Sequence, residues 1–282
     1  MQYDLVLIDG LNMVYRNQHT IGHLSRGDGT PSGALYGTTR GLLKILWDYK
    51  PSHFVMCWDG GGKAERQKID PNYKANRSRD TNGGMWDQVD ALNELLTYCG
   101  LAHFTPTNQE ADDLIAELAY DGNSSGLNTL IVSEDHDFFQ HLRPTVHIYR
   151  QMKKEVVKDT DFIDWYGIDP WRYPEVMSIT GDGTDNIHGI RGIGTKTAVR
   201  ILNKYPNLHQ ALEDNKLADH RDLILKNYQL VKHNAAGHSP FSIDTFHCGD
   251  AIADPFSVVE FLENWEFNSI SKLLTDRAYM LK

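Results

Sequence analysis

Short apolar runs alternate with amphipathic stretches along the first 160 residues. Tyr3–Ile8, Phe54–Trp58, Thr129–Val132 and His147–Tyr149 are compact and mostly apolar. Runs of this kind suit strands buried on both faces, whereas half-solvated strands alternate strictly. Between them, Ala34–Tyr49, Trp86–Cys99 and Ala111–Tyr120 carry apolar residues at helical spacing. The alternation predicts an α/β fold, a parallel sheet flanked by helices. Residues 60–84 break the pattern. They are glycine-rich at both ends, hold few large apolar side chains, and read as an excursion from the sheet. From about Asp161 the strand signal fades into short helical patterns. The predicted division is therefore 1–160 for the sheet domain and 161–282 for a helical lobe.

With 282 residues and 40% hydrophobic content, the chain can form one large core plus a smaller lobe. No run of about 18 apolar residues predicts a membrane span. The N-terminus reads as a strand and not as a charged segment leading into an apolar one, so no signal peptide is expected. Cys57, Cys99 and Cys248 are few, odd in number and far apart. They suit free thiols in a cytoplasmic protein better than a disulfide scaffold. The net charge of −10 argues at first against a polyanionic partner.

The placement of the acids changes that picture. Three predicted strands run into carboxylates: Asp9, Asp59, and the Ser133-Glu134-Asp135-His136-Asp137 segment. In an open parallel sheet, ligands bind beyond the carboxyl ends of strands, so these acids should meet at one edge. Glu110, Asp112 and Asp113 open the next helical pattern, where the helix dipole alone would favour acids. Asp182 and Asp185 sit in a glycine turn, Gly181-Asp182-Gly183-Thr184-Asp185-Asn186. Nine carboxylates brought together repel one another unless cations intervene. Oxygen ligands without a His or Cys set suit Mg²⁺ or Mn²⁺, not zinc. Setting these nine aside leaves 29 acids against 28 Lys plus Arg. The acidity then belongs to a site and not to the general surface.

Two further segments suit nucleic acid. Residues 63–79 hold six basic side chains, Lys74 and Arg77 among them, against two acidic ones, with Tyr73 in their midst. A basic stretch with an aromatic suits a phosphate backbone and an unstacked base. Gly192-Ile193-Gly194-Thr195-Lys196 leads into an apolar helical pattern at Ala198, Ile201 and Leu202. Glycines before a helix free backbone N–H groups to meet a phosphate.

Taken in order, Ile8-Asp9-Gly10, Trp58-Asp59-Gly60, Tyr73-Lys74-Ala75-Asn76-Arg77, Glu110-Ala111-Asp112-Asp113, Ser133 to Asp137 and Gly181 to Asn186 resemble the motifs of the 5′-nuclease (flap endonuclease) superfamily. The resemblance spans residues 3–205, and residues 258–274 are similar to the closing segment of its bacterial and phage members. It implies a PIN-like domain, a helical arch near residues 62–90, and a helix-hairpin-helix at 186–205. It further implies a stand-alone, phage-type 5′–3′ exonuclease and flap endonuclease, hydrolysing DNA phosphodiesters by a two-metal mechanism in replication or repair. Asp9, Asp59, Glu110 and Asp112 would serve one Mg²⁺, and Asp113, Asp135, Asp137, Asp182 and Asp185 a second, with Mn²⁺ as a substitute. K⁺ would sit on backbone carbonyls of the hairpin. Lys74 and Arg77 would contact the scissile phosphate, and Arg16 another phosphate. Expected partners are DNA 5′ ends, flaps and junctions, and also RNA–DNA hybrid, met by a monomer in a bacterial or phage-infected cytosol. His136 and Glu134 depart from the family, which often has Lys and a small residue there. The alternatives are a catalytically silent junction-binding protein and a PIN-type ribonuclease.

Overall fold

The computed structural model describes residues 2–76, 84–234, 243–249 and 252–280. Strand β1 (Leu5–Asp9) is buried along its whole length and leads straight into α1 (Gly10–Ile21). Then follow α2 (Gly33–Tyr49), β2 (His53–Cys57), α3 (Lys63–Ile69), α4 (Met85–Cys99), β3 (Ala102–Phe104), α5 (Ala111–Ser124), β4 (Thr129–Val132), β5 (Val146–Arg150) and β6 (Glu155–Val157). The sheet order is β3-β2-β1-β4-β5-β6. All pairings are parallel except β5 with β6. Because the chain winds from β1 to β2 and β3, then returns to place β4 on the other side of β1, the order reverses between β1 and β4. Such a reversal opens a crevice at the strands' carboxyl ends.

The two faces of the sheet bury different layers. Leu5 and Leu7 of β1 join Val55, Cys57 and Ile131 in one core. Val6 and Ile8 point the other way, to Phe54, Met56, Leu130 and Val132. The strand period of two sorts them. Gly10 is required where β1 meets α1, since a Cβ there would stand 2.6 Å from the Trp58 ring.

The remaining chain forms α6 (Asp159–Tyr166), α7 (Tyr173–Thr180), a small hairpin of β7 (Gly181–Asp182) and β8 (Ile187–His188), α8 (Thr195–Leu202), α9 (Leu208–Ala211), α10 (Arg221–Val231), α11 (Pro255–Asn264) and α12 (Asn268–Met280). The core that lines one sheet face continues through Val176, Ile179, Ile201 and Leu230, so residues on either side of 160 share it. A second departure from the expected division lies at the end of the chain. Val258, Phe261, Leu262 and Ile270 of α11 and α12 pack with α2 and α4 on the opposite face of the sheet. Among the described residues no helix is long and apolar enough to cross a membrane. Of the arch expected near 62–90, α3 and the start of α4 are described, and residues 77–83, including Arg77, lie outside the described residues.

Candidate active site

Asp9 ends β1 and caps α1, accepting from the Asn12 amide at 3.1 Å. Ser133, which follows β4, donates to its other oxygen at 2.8 Å and bridges the β1–β4 crevice. Asp59 follows β2 and accepts from the Ala111 amide at the start of α5, at 2.8 Å. That contact brings Glu110, Asp112 and Asp113 to the same edge. Asp135 accepts from the Asp137 amide at 2.9 Å and turns the chain after β4. Asp182 closes its own turn by accepting from the Thr184 amide at 2.8 Å. The five segments of the sequence therefore converge beyond the carboxyl ends of β1, β2 and β4.

Within this gathering the acids fall into groups that the spacing alone did not separate. Burial, with added repulsion from Asp135 and Asp59, pushes the Asp9 carboxyl up to about 7. Burial and the neighbours Asp9, Asp135 and Asp59 likewise raise Asp112, against the attraction of Lys74. Asp137 is raised by burial and by Asp135, Asp182 and Asp185, and Asp182 by burial and by Asp185. One group is thus Asp9, Asp59 and Asp112; the other is Asp137, Asp182 and Asp185; Asp135 repels members of both. One carboxylate oxygen from each of Asp137, Asp182 and Asp185 lies within 4.8 Å of the others. Oxygen donors this close fit a hard divalent cation.

Glu110 and Asp113 are differently placed. Arg66, only 5% exposed, grips both Asp113 oxygens at 2.8 and 2.9 Å and also donates to Glu110 Oε2. The Asn234 amide adds a further bond to Asp113 at 2.9 Å. Arg66 Nε donates to the Leu230 carbonyl at 3.1 Å, tying α3 to the end of α10. Lys74 Nζ lies 2.7 Å from Glu110 Oε1, 3.9 Å from Asp112 and 3.7 Å from Asp185. It stands between the two acidic groups, on a left-handed backbone with φ of 53°.

Within the described part of that stretch, residues 63–76, the structure buries two of the cations read as a basic surface for DNA. Arg66 and Lys74 point into the carboxylates, Lys68 pairs with Glu65, and Lys63 donates to the Lys74 carbonyl. Tyr73 is not a platform for a base: it is 3% exposed, and its hydroxyl donates to Glu110 at 3.1 Å. Its ring faces Lys74 and Arg66. Taking these cations out of water is costly, and their hydrogen bonds to buried carboxylates offset that cost. No signal within the stretch itself distinguished Arg66 from its exposed neighbours.

Arg16 sits two turns into α1, half-buried, within the electrostatic influence of Glu134. It lines a cavity of about 360 Å³ together with Thr20, Lys44, Gln151 and Lys154, side chains that can all donate. Those companions were not singled out by sequence, because they come from three separate elements. The hairpin lies on the other lobe. Gly192 is left-handed at φ 85°, and Gly194 opens α8. Gly194, Thr195 and Lys196 are exposed, as are the unpaired first-turn amides that any helix start presents.

The shifts carry a consequence for stability. A carboxyl raised from 3.8 to about 7 keeps its proton longer folded than unfolded, so protons stabilise the fold between those values. Without divalent ions, stability is expected to fall as pH rises from about 4 to 7. A divalent ion bound by these carboxylates is expected to displace those protons, so the rise in Tm that it causes should grow across the same window. Thermal melts in EDTA and in Mg²⁺ at pH 5 and pH 8 check this. Equal shifts at both pH values would contradict it.

Comparison with known proteins places these features in context. Residues 4–167 match the family described as 5′-3′ exonuclease, N-terminal resolvase-like domain, and residues 168–252 match 5′-3′ exonuclease, C-terminal SAM fold. The chain is 32% identical over 210 residues to a 5′-3′ exonuclease of Aquifex aeolicus, covering 74% of this chain and 72% of that one. It is 33% identical to DNA polymerase I of Rhizobium leguminosarum, over 81% of this chain but 23% of that longer protein. Among solved structures, the T5 5′-exonuclease with bound zinc superposes with a TM-score of 0.68 at 20% identity, covering 92% and 97% of the two chains. The catalytic core of Rad2 with a DNA substrate gives 0.60 at 17% identity, over 94% and 88%.

Proposed function

The chain belongs to the 5′-3′ exonuclease family, and on that premise we propose that it hydrolyses DNA phosphodiesters at 5′ ends and at flap junctions, using two divalent ions held by its carboxylates. The observation that carries this reading is the convergence of three strand ends and the 182–185 turn on one crevice edge. Asp9, Asp59 and Asp112 would hold one ion, and Asp137, Asp182 and Asp185 the other, with Asp135 between them. Such ions supply Lewis acidity toward the attacking water and the departing 3′ oxygen. Mg²⁺ suits the all-oxygen donors, and Mn²⁺ suits them as well.

The protein's own groups do the rest. Lys74, set between both acidic groups, would meet a nonbridging oxygen of the scissile phosphate in place of part of its carboxylate contact. Arg77, three residues on, is proposed for the same phosphate. Arg16, with Lys44, Gln151 and Lys154 around it, would take a neighbouring phosphate of the strand. Glu110 and Asp113, neutralised by Arg66 and Lys74, would fix these cations and act on the ions only at longer range. The hairpin at Gly192, Ile193, Gly194, Thr195 and Lys196 would grip the duplex backbone away from the cut, with K⁺ on its carbonyls. The proposed form is a monomer acting on DNA in a reducing cytosol, with Cys57, Cys99 and Cys248 as free thiols. RNA–DNA hybrid is a candidate second substrate.

The test is cleavage of 5′-labelled flap, blunt duplex and RNA–DNA hybrid in Mg²⁺, in Mn²⁺ and in EDTA. Cutting in either metal but not in EDTA, with activity falling steeply as salt rises, is expected. Binding without any cleavage would point instead to a junction-binding protein. Cleavage confined to RNA would point to a ribonuclease.

A further inference from the structure

The turn that bears Asp182 and Asp185 is held only in part by its own hairpin, which pairs two residues on each side. It is stitched to residues 72–76, more than 100 positions away in the chain. The Lys74 amide donates to the Asp185 carbonyl at 2.9 Å. Asn186 Nδ2 donates to the Asn72 carbonyl at 2.8 Å. Asn76 Nδ2 reaches the Gly183 and Thr184 carbonyls at 3.2 and 3.4 Å. Both strands of the stitch are bent sharply, with Lys74 at φ 53° and Asn186 at φ 59°. Non-glycine residues hold that conformation only when their surroundings enforce it. Both sides are also anchored to α10, through Lys226 and Asn227. Asp70 accepts from Lys226 at 2.7 Å and from the Asn72 amide at 2.9 Å. Asn227 of α10 donates to the His188 carbonyl at 2.9 Å.

We propose that Asn76 and Asn186 are positioning residues that lock the aspartate turn to the segment carrying Lys74, so that uptake of a strand phosphate and divalent-ion binding at Asp182 and Asp185 are coupled. The proposal rests on the nuclease reading for its substrate, but the coupling is a property of these hydrogen bonds. Lys74 is common to both sides: its amide holds the Asp185 backbone while its ammonium faces the Glu110 and Asp185 carboxylates. A phosphate that draws the ammonium off the Asp185 carboxylate leaves that carboxylate open to a cation, while the Lys74 amide keeps the turn in place. Linkage then requires each ligand to tighten the other by the same factor.

The test uses Asn76→Ala, Asn186→Gly and Asn186→Ala in the full chain. Asn186→Gly keeps the left-handed backbone and deletes only the donor, whereas Asn186→Ala loses both. Mn²⁺ affinity is measured by calorimetry without DNA, then with an uncleavable phosphorothioate flap. Asn76→Ala and Asn186→Gly are expected to weaken Mn²⁺ binding about tenfold, as loss of a partner behind a metal ligand does. They should also abolish the tightening by DNA, and Asn76→Gln should recover part of both. Circular dichroism and melting in EDTA verify that each variant folds; Asn76→Ser or Asn186→Ser, uncharged and too short to reach these carbonyls, replaces the one at its position that does not. Mn²⁺ affinity and DNA coupling equal to the parent in Asn76→Ala and Asn186→Gly would overturn the proposal. A parent chain that binds Mn²⁺ but cuts no DNA would defeat the nuclease reading and leave the stitch to be judged on Mn²⁺ affinity alone.

Discussion

Asp182→Ala is expected to lower metal-dependent cleavage by at least about 10³-fold, roughly 4 kcal/mol of barrier, while duplex affinity stays within about twofold. Asp182 shares its surroundings with Asp137 and Asp185, and their oxygens approach closely enough to hold one ion. Removing one of three leaves a site that no longer completes a charge-balanced set of donors. Duplex affinity should survive because the hairpin lies on a different loop and phosphate contacts dominate binding. The same change has an opposite effect on the metal-free protein. Burial and Asp185 destabilise the Asp182 anion, so its loss should raise Tm in EDTA. Cleavage rates, a binding titration and melts in EDTA read all three. Full activity in Asp182→Ala would remove this turn from the site.

Arg66→Met should be the most destabilising single change in the sheet domain. Its guanidinium neutralises two buried carboxylates, with side chains 5% and 8% exposed, and it satisfies the Leu230 carbonyl. Breaking such a pair from one side strands the remaining charge, at a cost of about 3–5 kcal/mol. For a chain of this size each kcal/mol lowers Tm by roughly 2–4 °C. The loss should be larger at pH 8 than at pH 5, because the stranded acids can take up protons at low pH. Combining Arg66→Met with Asp113→Asn removes the stranded charge at 113, keeps an oxygen for the Asn234 amide and leaves Glu110 with Lys74, so it is expected to recover part of the Tm, though not the activity. Chemical denaturation of the three proteins would settle the question. A lone Arg66→Met with parental stability would show that the network contributes nothing.

Strand β4 and helix α5 were legible because their apolar residues dominate a short window. β3 was not: Ala102–Phe104 is a three-residue, half-buried edge strand with no apolar run. β6 is a similar edge, paired antiparallel. Helix α1 was hidden because it starts immediately after β1 and buries few large apolar side chains, Met13 and Val14 among them. The acids stood out at strand ends, since a parallel sheet gathers its strand ends along one edge whatever else the chain does.

Sequence by itself determined the sheet layers, the order of the acids and their convergence, because these follow from side-chain period and strand direction. Only the tertiary structure decided which charges meet. Arg66 and Lys74 read as solvent-facing cations, yet each finds carboxylates 36 to 47 residues away. The same holds for α11 and α12, which pack against α2 and α4. Composition counts charges and apolar residues, but pairing depends on distance and desolvation, which exist only after the chain has folded.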